Sequence, residues 1–129
     1  MDGEKDMRET LYNYLLFNSS ISSWHSPFSA SATTKKPYGV IVIGEVMRSP
    51  VNRKGAWNDL QIWLYFEKGD FLSLDGAADE IKGLLADVML TTGEGRRFHV
   101  EYVGMRRDFY DDELRAIAKR IDFTIPCIV

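Results

Sequence analysis

Trp57-Asn58-Asp59-Leu60-Gln61-Ile62-Trp63-Leu64-Tyr65-Phe66 is the stretch that decides the fold of this chain. Its side chains alternate as those of a strand do. Leu60, Ile62, Leu64 and Phe66 point one way; Trp57, Asp59, Gln61, Trp63 and Tyr65 point the other. Immediately upstream, Tyr38 to Met47 carries the β-branched run Val40-Ile41-Val42-Ile43, a strand apolar on both sides. Ser49-Pro50-Val51-Asn52-Arg53-Lys54-Gly55 between them is turn-forming. The pair predicts a long antiparallel hairpin.

Working outward, two helices flank the hairpin. Residues 4 to 17 place Met7, Leu11, Tyr14 and Leu15 on one helical stripe, ending near Asn18. Residues 73 to 90 place Leu74, Ala78, Ile81, Leu85 and Val88 on another, with Asp70 or Ser73 as N-cap. Gly76 and Gly83 each weaken that helix by ~1 kcal/mol relative to Ala. Gly93, in Thr91-Thr92-Gly93-Glu94-Gly95, marks its exit turn. Arg97 to Met105 alternates again, with Phe98, Val100 and Tyr102 on one side and His99, Glu101 and Val103 on the other. The charged segment Arg106 to Asp112 then reads as a turn. Beyond it, Leu114, Ile117, Ala118 and Ile121 have helical spacing, whereas Ile117, Ile121, Phe123 and Ile125 suit a strand. Periodicity leaves both open.

Between the first helix and the hairpin, residues 18 to 36 are rich in Ser, Thr and Ala, with Trp24 and Phe28 as the only large apolar residues. Such a run has too little apolar surface to offset the entropy of ordering it. It is either a surface loop pinned by those two rings or a segment that orders when a partner docks.

These elements predict a single α+β domain over residues 1–129 with the order α-β-β-α-β-β. The expected architecture is a two-layer sandwich: a mostly antiparallel four-stranded sheet with two helices on one face. The other face then lacks cover from its own chain. Trp57, Trp63 and Tyr65, together with Ile41 and Ile43 or their neighbours, would lie there, and a contiguous apolar patch of that kind marks an interaction surface. The alternative is that the Ser-rich loop folds back and hides those rings with Trp24 and Phe28.

Composition bounds the function. Of 129 residues, 16 Lys and Arg stand against 19 Asp and Glu, a net charge of -3 that disfavours an autonomous nucleic-acid binder. One cysteine, Cys127, and two histidines, His25 and His99, cannot build a disulfide framework or a multi-cysteine or histidine-rich metal centre. The opening Met1-Asp2-Gly3-Glu4-Lys5-Asp6 is too acidic for a secretory leader, and the apolar runs are strand-sized, far short of the ~20 residues that span a bilayer. A reducing cytoplasm, or an assembly made there, is the expected setting. No phosphate-binding glycine motif, calcium loop or nucleophile–base arrangement is present. His99 and Glu101 share a strand side and, with Tyr102, could line the cleft of a small enzyme or ligand-binding domain. Arg53-Lys54 and Arg106-Arg107 are basic loop tips suited to docking acidic surfaces.

The order of segments resembles the tail terminator, or tail completion, proteins of long-tailed, lambda-like bacteriophages. The resemblance covers nearly the whole chain. It rests on the opening helix, Pro37-Tyr38-Gly39-Val40-Ile41-Val42, the alternating Trp57 to Tyr65 strand and the acid-flanked helix after it. Tyr102-Val103-Gly104-Met105-Arg106-Arg107-Asp108 and the closing Ile121-Asp122-Phe123-Thr124-Ile125 complete it. The resemblance implies a structural protein, not an enzyme, with no cofactor. It implies six copies in a ring on the head-proximal end of the tail tube, in contact with the major tail tube protein and the head–tail connector protein. The protein would be assembled in the host cytoplasm and end at the head–tail junction of the virion, without membrane or sequence-specific nucleic-acid contact. It also implies strand over most of 114 to 127. On this view Trp57, Trp63 and Tyr65 make subunit or tube contacts, and Arg53, Lys54, Arg106, Arg107 and Asp108 dock tube or connector.

Overall fold

Ala56–Phe66 is the middle of the sheet, and its alternation survives intact: Leu60, Ile62, Leu64 and Phe66 are all buried on one side. The computed structural model describes residues 2–25, 35–48 and 56–126. Among them the order is α1 (Asp2–Asn18), β1 (Trp24–His25), β2 (Tyr38–Arg48), β3 (Ala56–Phe66), α2 (Phe71–Leu85), β4 (Val88–Thr91), β5 (Arg97–Met105), β6 (Phe109–Asp111) and β7 (Ala116–Ile125).

The expected four-stranded, mostly antiparallel sheet is incorrect. The sheet is seven-stranded and mixed, strongly curled into a half-barrel, with the order β1-β2-β3-β7-β5-β4 and β6 pairing β7 off that path. The four long strands pair antiparallel as β2·β3, β3·β7 and β5·β7. Three short strands account for the difference, and each is too brief to display a period. β1 pairs β2 in parallel through Trp24 and His25, inside the stretch read as loop. β4 occupies the end of the segment read as helix. There Ala86 turns extended (ψ 110) and Asp87 adopts a left-handed φ of 63, so α2 stops at Leu85. Val88 and Leu90 fit a continued helical stripe equally well, but pairing with Val100 and Phe98 claims them for the sheet. The left-handed glycine of the β4–β5 turn is Gly95 (φ 88), not Gly93. β6 sits in the stretch read as a charged turn. Asp111 Oδ1 accepts the Leu114 N–H at 3.0 Å, Arg115 takes φ 51, and the chain doubles back to pair Phe109 with Ala118 and Tyr110 with Ile117. Residues 116 to 125, left open by spacing, are strand.

The helices lie on the first face of the sheet. Met7, Leu11 and Leu15 of α1 and Leu74, Ala77, Ala78, Ile81 and Leu85 of α2 join one core. Ile41, Ile43, the apolar side of β3, Leu90, Phe98, Val100, Ile117, Ile121, Phe123 and Ile125 complete it. Each fully buried Leu, Ile or Phe contributes about 1.5–3 kcal/mol. Polar contacts fix the helices to each other: Tyr14 Oη donates to the Leu84 carbonyl at 2.9 Å, and Glu80 accepts from Ser20 N and Oγ at 2.8 and 2.9 Å. Trp24 joins this same core, lying flat over Gly39 and donating Nε1–H to the Ile21 carbonyl at 3.0 Å. It therefore does not cover the second face; Phe28 lies outside the described residues. No helix among the described residues is long and apolar enough to cross a membrane.

Candidate functional site

The second face of the sheet has two parts. At one end, Tyr38, Val40, Tyr65, Ala116 and Ala118 form a small buried cluster of their own. Tyr38 and Tyr65 stack with ring centroids 4.9 Å apart and planes 17° from parallel, and His25 meets Tyr38 edge-on. Burial, reinforced by the nearby Asp111 carboxylate, pushes both phenols up to about 12. Tyr65 is only 7% exposed, so it packs inside the protomer's own small cluster. This corrects the expectation that it lies on an open face. The physical reason is the curl of the sheet, which together with β6 closes this corner.

The rest of the second face carries no helix among the described residues. Its centre is Trp63, half-buried, with Nε1–H donated to Gln61 Oε1 at 2.9 Å and its ring meeting Phe109 edge-on at 5.8 Å. The Arg120 guanidinium lies 5.7 Å from the indole centroid, within range of a cation–π contact. Asp122, two residues on along β7, is held by two guanidinium groups: Arg120 Nε at 2.9 Å and Arg106 Nε at 3.0 Å. Arg106 is also pinned through its backbone, whose N–H donates to the Arg120 carbonyl at 2.8 Å. Arg107 is exposed beside it. Two guanidinium groups thus converge on the Asp122 carboxylate, while Asp59 and Glu101, both paired in register with Thr124, are exposed on the same face.

The eight residues singled out from sequence thus separate. Trp63 and Arg106 come together around Arg120 and Asp122, and Arg107 is exposed next to Arg106 in the chain. Asp108 turns inward instead, forming an ion pair with Lys119 Nζ at 3.0 Å; the same ammonium donates to Asp75 on α2 at 2.8 Å. Trp57 is in β3 opposite Met47, its side chain outside the described residues, as are Arg53 and Lys54 altogether. Arg120 and Asp122, which complete this cluster, were not singled out. They alternate with the buried Ile121 and Phe123, so a strand assignment of this segment would have exposed them.

The trio for a reactive cleft does not converge. His99 lies between Asp87 (Nε2 to Oδ1, 2.5 Å) and Glu101 (Nδ1 to Oε1, 3.5 Å). Tyr102 faces the other way, edge-on to Phe123 with Lys82 Nζ 4.6 Å from its ring centroid. Among the described residues, no group of His, Cys, Asp and Glu is arranged to hold a metal ion.

No family model and no curated protein matches this chain.

Proposed function

We propose that this chain is a structural component of a long-tailed phage or prophage particle. In this role it caps the head-proximal end of the tail tube as a ring of identical copies and offers the head connector a docking surface. The observation that carries the proposal is the second face of the sheet: the Trp63 ring beside the Arg120 and Arg106 guanidinium groups, on a face that carries no helix among the described residues. Surfaces of this composition suit protein contacts, since aromatic and arginine side chains dominate buried interface centres. The strand at Ala116–Ile125 agrees with the segment order of the tail terminator resemblance.

Electron microscopy of the concentrated protein, alone and mixed with tail tubes, tests the proposal. Closed rings, or caps at one end of each tube, are the expected result. A chain that stays monomeric and leaves tube ends uncapped overturns it. Trp63→Ser is the companion variant: it should keep the fold, because the ring is half-buried, and lose the caps.

A further inference from the structure

The segment that follows β5 covers part of the sheet while burying almost nothing of itself. β6 has β7 as its strand neighbour among the described residues and lies on the side of β7 away from β3. None of residues 109–115 is buried; Phe109 is 38% and Tyr110 44% exposed. The stretch of β7 they flank, Ala116, Ile117 and Ala118, is sealed at 0%, 2% and 0%. Phe109 reaches the Trp63 ring across β7, over Ala118, which pairs with Tyr65 on one side and with Phe109 on the other. Leu114 packs on the Tyr38–Tyr65 cluster. Both ends of the segment are bent. Met105 pairs with Ile121 and Phe109 with Ala118, so residues 106–108 face only 119 and 120 and the strand bulges there. Asp108, in that bulge, is fastened by its ion pair with Lys119. At the other end Arg115 takes φ 51, a left-handed conformation that favours glycine. Between the ends the fastenings are weak: the short ladder to β7, the Phe109–Trp63 edge contact, Lys68 Nζ 5.5 Å from the Tyr110 ring centroid, and Asp111 Oδ1 on the Leu114 N–H.

We infer that residues 109–115 form a strap that opens and closes over the second face of the sheet while the rest of the fold stays intact. A segment with a short ladder and few buried apolar contacts opens at a far smaller free energy than the core strands do. Its hinges are the bulge at 106–108, moored to Lys119, and the left-handed Arg115. Opening takes Phe109 away from Trp63 and Leu114 away from the tyrosine cluster. Tyr65 and the edge of β7 at Ala116–Ala118 then reach solvent. β7 itself stays in place, because Ile117 and Ala118 remain paired with Phe66 and Tyr65 of β3. Aromatic surface and a strand edge that the closed protomer covers thus become available without unfolding the sheet. This goes beyond the capping role and does not rest on it.

Thiol labelling of the folded chain tests it. In a Cys127→Ser background, Ala118→Cys places a thiol beneath the strap and Ala78→Cys places one in the core under α2, at two positions that are both fully buried. The Ala118→Cys thiol should react with a maleimide about a hundredfold faster than the Ala78→Cys thiol, at a rate that urea below the unfolding transition leaves unchanged. Phe109→Ala and Asp111→Ala, which loosen the strap, should each speed that reaction about tenfold. Equal rates for the two thiols, both rising with urea, mean that residues 109–115 open only with the whole fold, and the strap is then wrong. Fast labelling that neither loosening variant accelerates overturns it as well, because the reagent then enters by another route. If Ala118→Cys lowers the unfolding midpoint, amide exchange of the native chain replaces it. The amides of 109–115 should then exchange ahead of those of β3 and independently of low urea; exchange of the two together overturns the strap. Neither measurement needs rings or tail tubes, so its result is separate from that of the capping test.

Discussion

Gly39 shows how one residue sets the position of another. It lies in β2 against the Trp24 ring, and a Cβ there would overlap Cζ3, Cε3 and Cη2 of the indole. The indole in turn is anchored through its own N–H to Ile21, and β1 is held to β2 by the Gly39 N–H donated to the Ser23 carbonyl at 2.9 Å. Gly39→Ala should therefore push Trp24 out of the core and destabilise the protein by about 1–3 kcal/mol. Chemical denaturation followed by tryptophan fluorescence measures both effects. An unchanged midpoint with an unshifted native emission would disprove the close contact. Tyr38 is a contrasting case: fully buried, with its hydroxyl lacking a hydrogen-bond partner among the described residues.

At the scale of elements, Lys119 explains why β7 resists reading from its sequence. It interrupts the apolar alternation Ile117, Ile121, Phe123, Ile125, yet it stands on the core face of the sheet, opposite Leu64. Its side chain is 14% exposed because the ammonium bridges Asp75 on α2 and Asp108 before β6. Burial pulls that ammonium down, but the two carboxylates outweigh it and hold the group above its ordinary value. Lys119→Met removes the bridge and leaves two carboxylates facing each other. The expected cost is about 1–3 kcal/mol, measured by urea denaturation. Asp75→Asn in the same background should recover part of it, and a Met variant as stable as the native chain would show that the bridge contributes nothing. The short strands β1, β4 and β6 have no comparable signature in the sequence. Two to four residues cannot display a period, and each exists only because a longer neighbour offers it an edge.

For the molecule as a whole, the stacked tyrosines set an alkaline limit on stability. Tyr38 and Tyr65 are raised from 10.0 to about 12 in the folded state. Between those values the unfolded chain has lost phenolic protons that the folded chain keeps, so stability falls as pH rises through that window. Lys119, also raised, acts in the same direction. The contribution of the two phenols is complete below about pH 10 and is lost as pH rises through about 12. Urea midpoints across that range should decline, and Tyr65→Phe should flatten the decline. Of the six tyrosines in the chain, two should deprotonate only with unfolding, as read by phenolate absorbance. All six titrating together in a folded chain would refute the buried stack.

Local pattern alone determined the long elements: the heptad-like stripe of α1, the core stripe of α2 as far as Leu85, and the alternating sides of β3 and β5. In each of these, burial repeats often enough along the chain to leave a period. Tertiary structure decided the rest, because the deciding contacts come from residues distant in sequence. Pairing with β5 ended α2 and made β4; the doubling back at Arg115 made β6 and fixed β7 as a strand. The curl of the sheet then buried Tyr65 and left Trp63, Arg106 and Arg120 together on the face that carries no helix among the described residues. The alternation of β3 shows that Trp63 and Tyr65 share a face. Whether that face is closed over either of them depends on how far the sheet bends, which no single strand encodes.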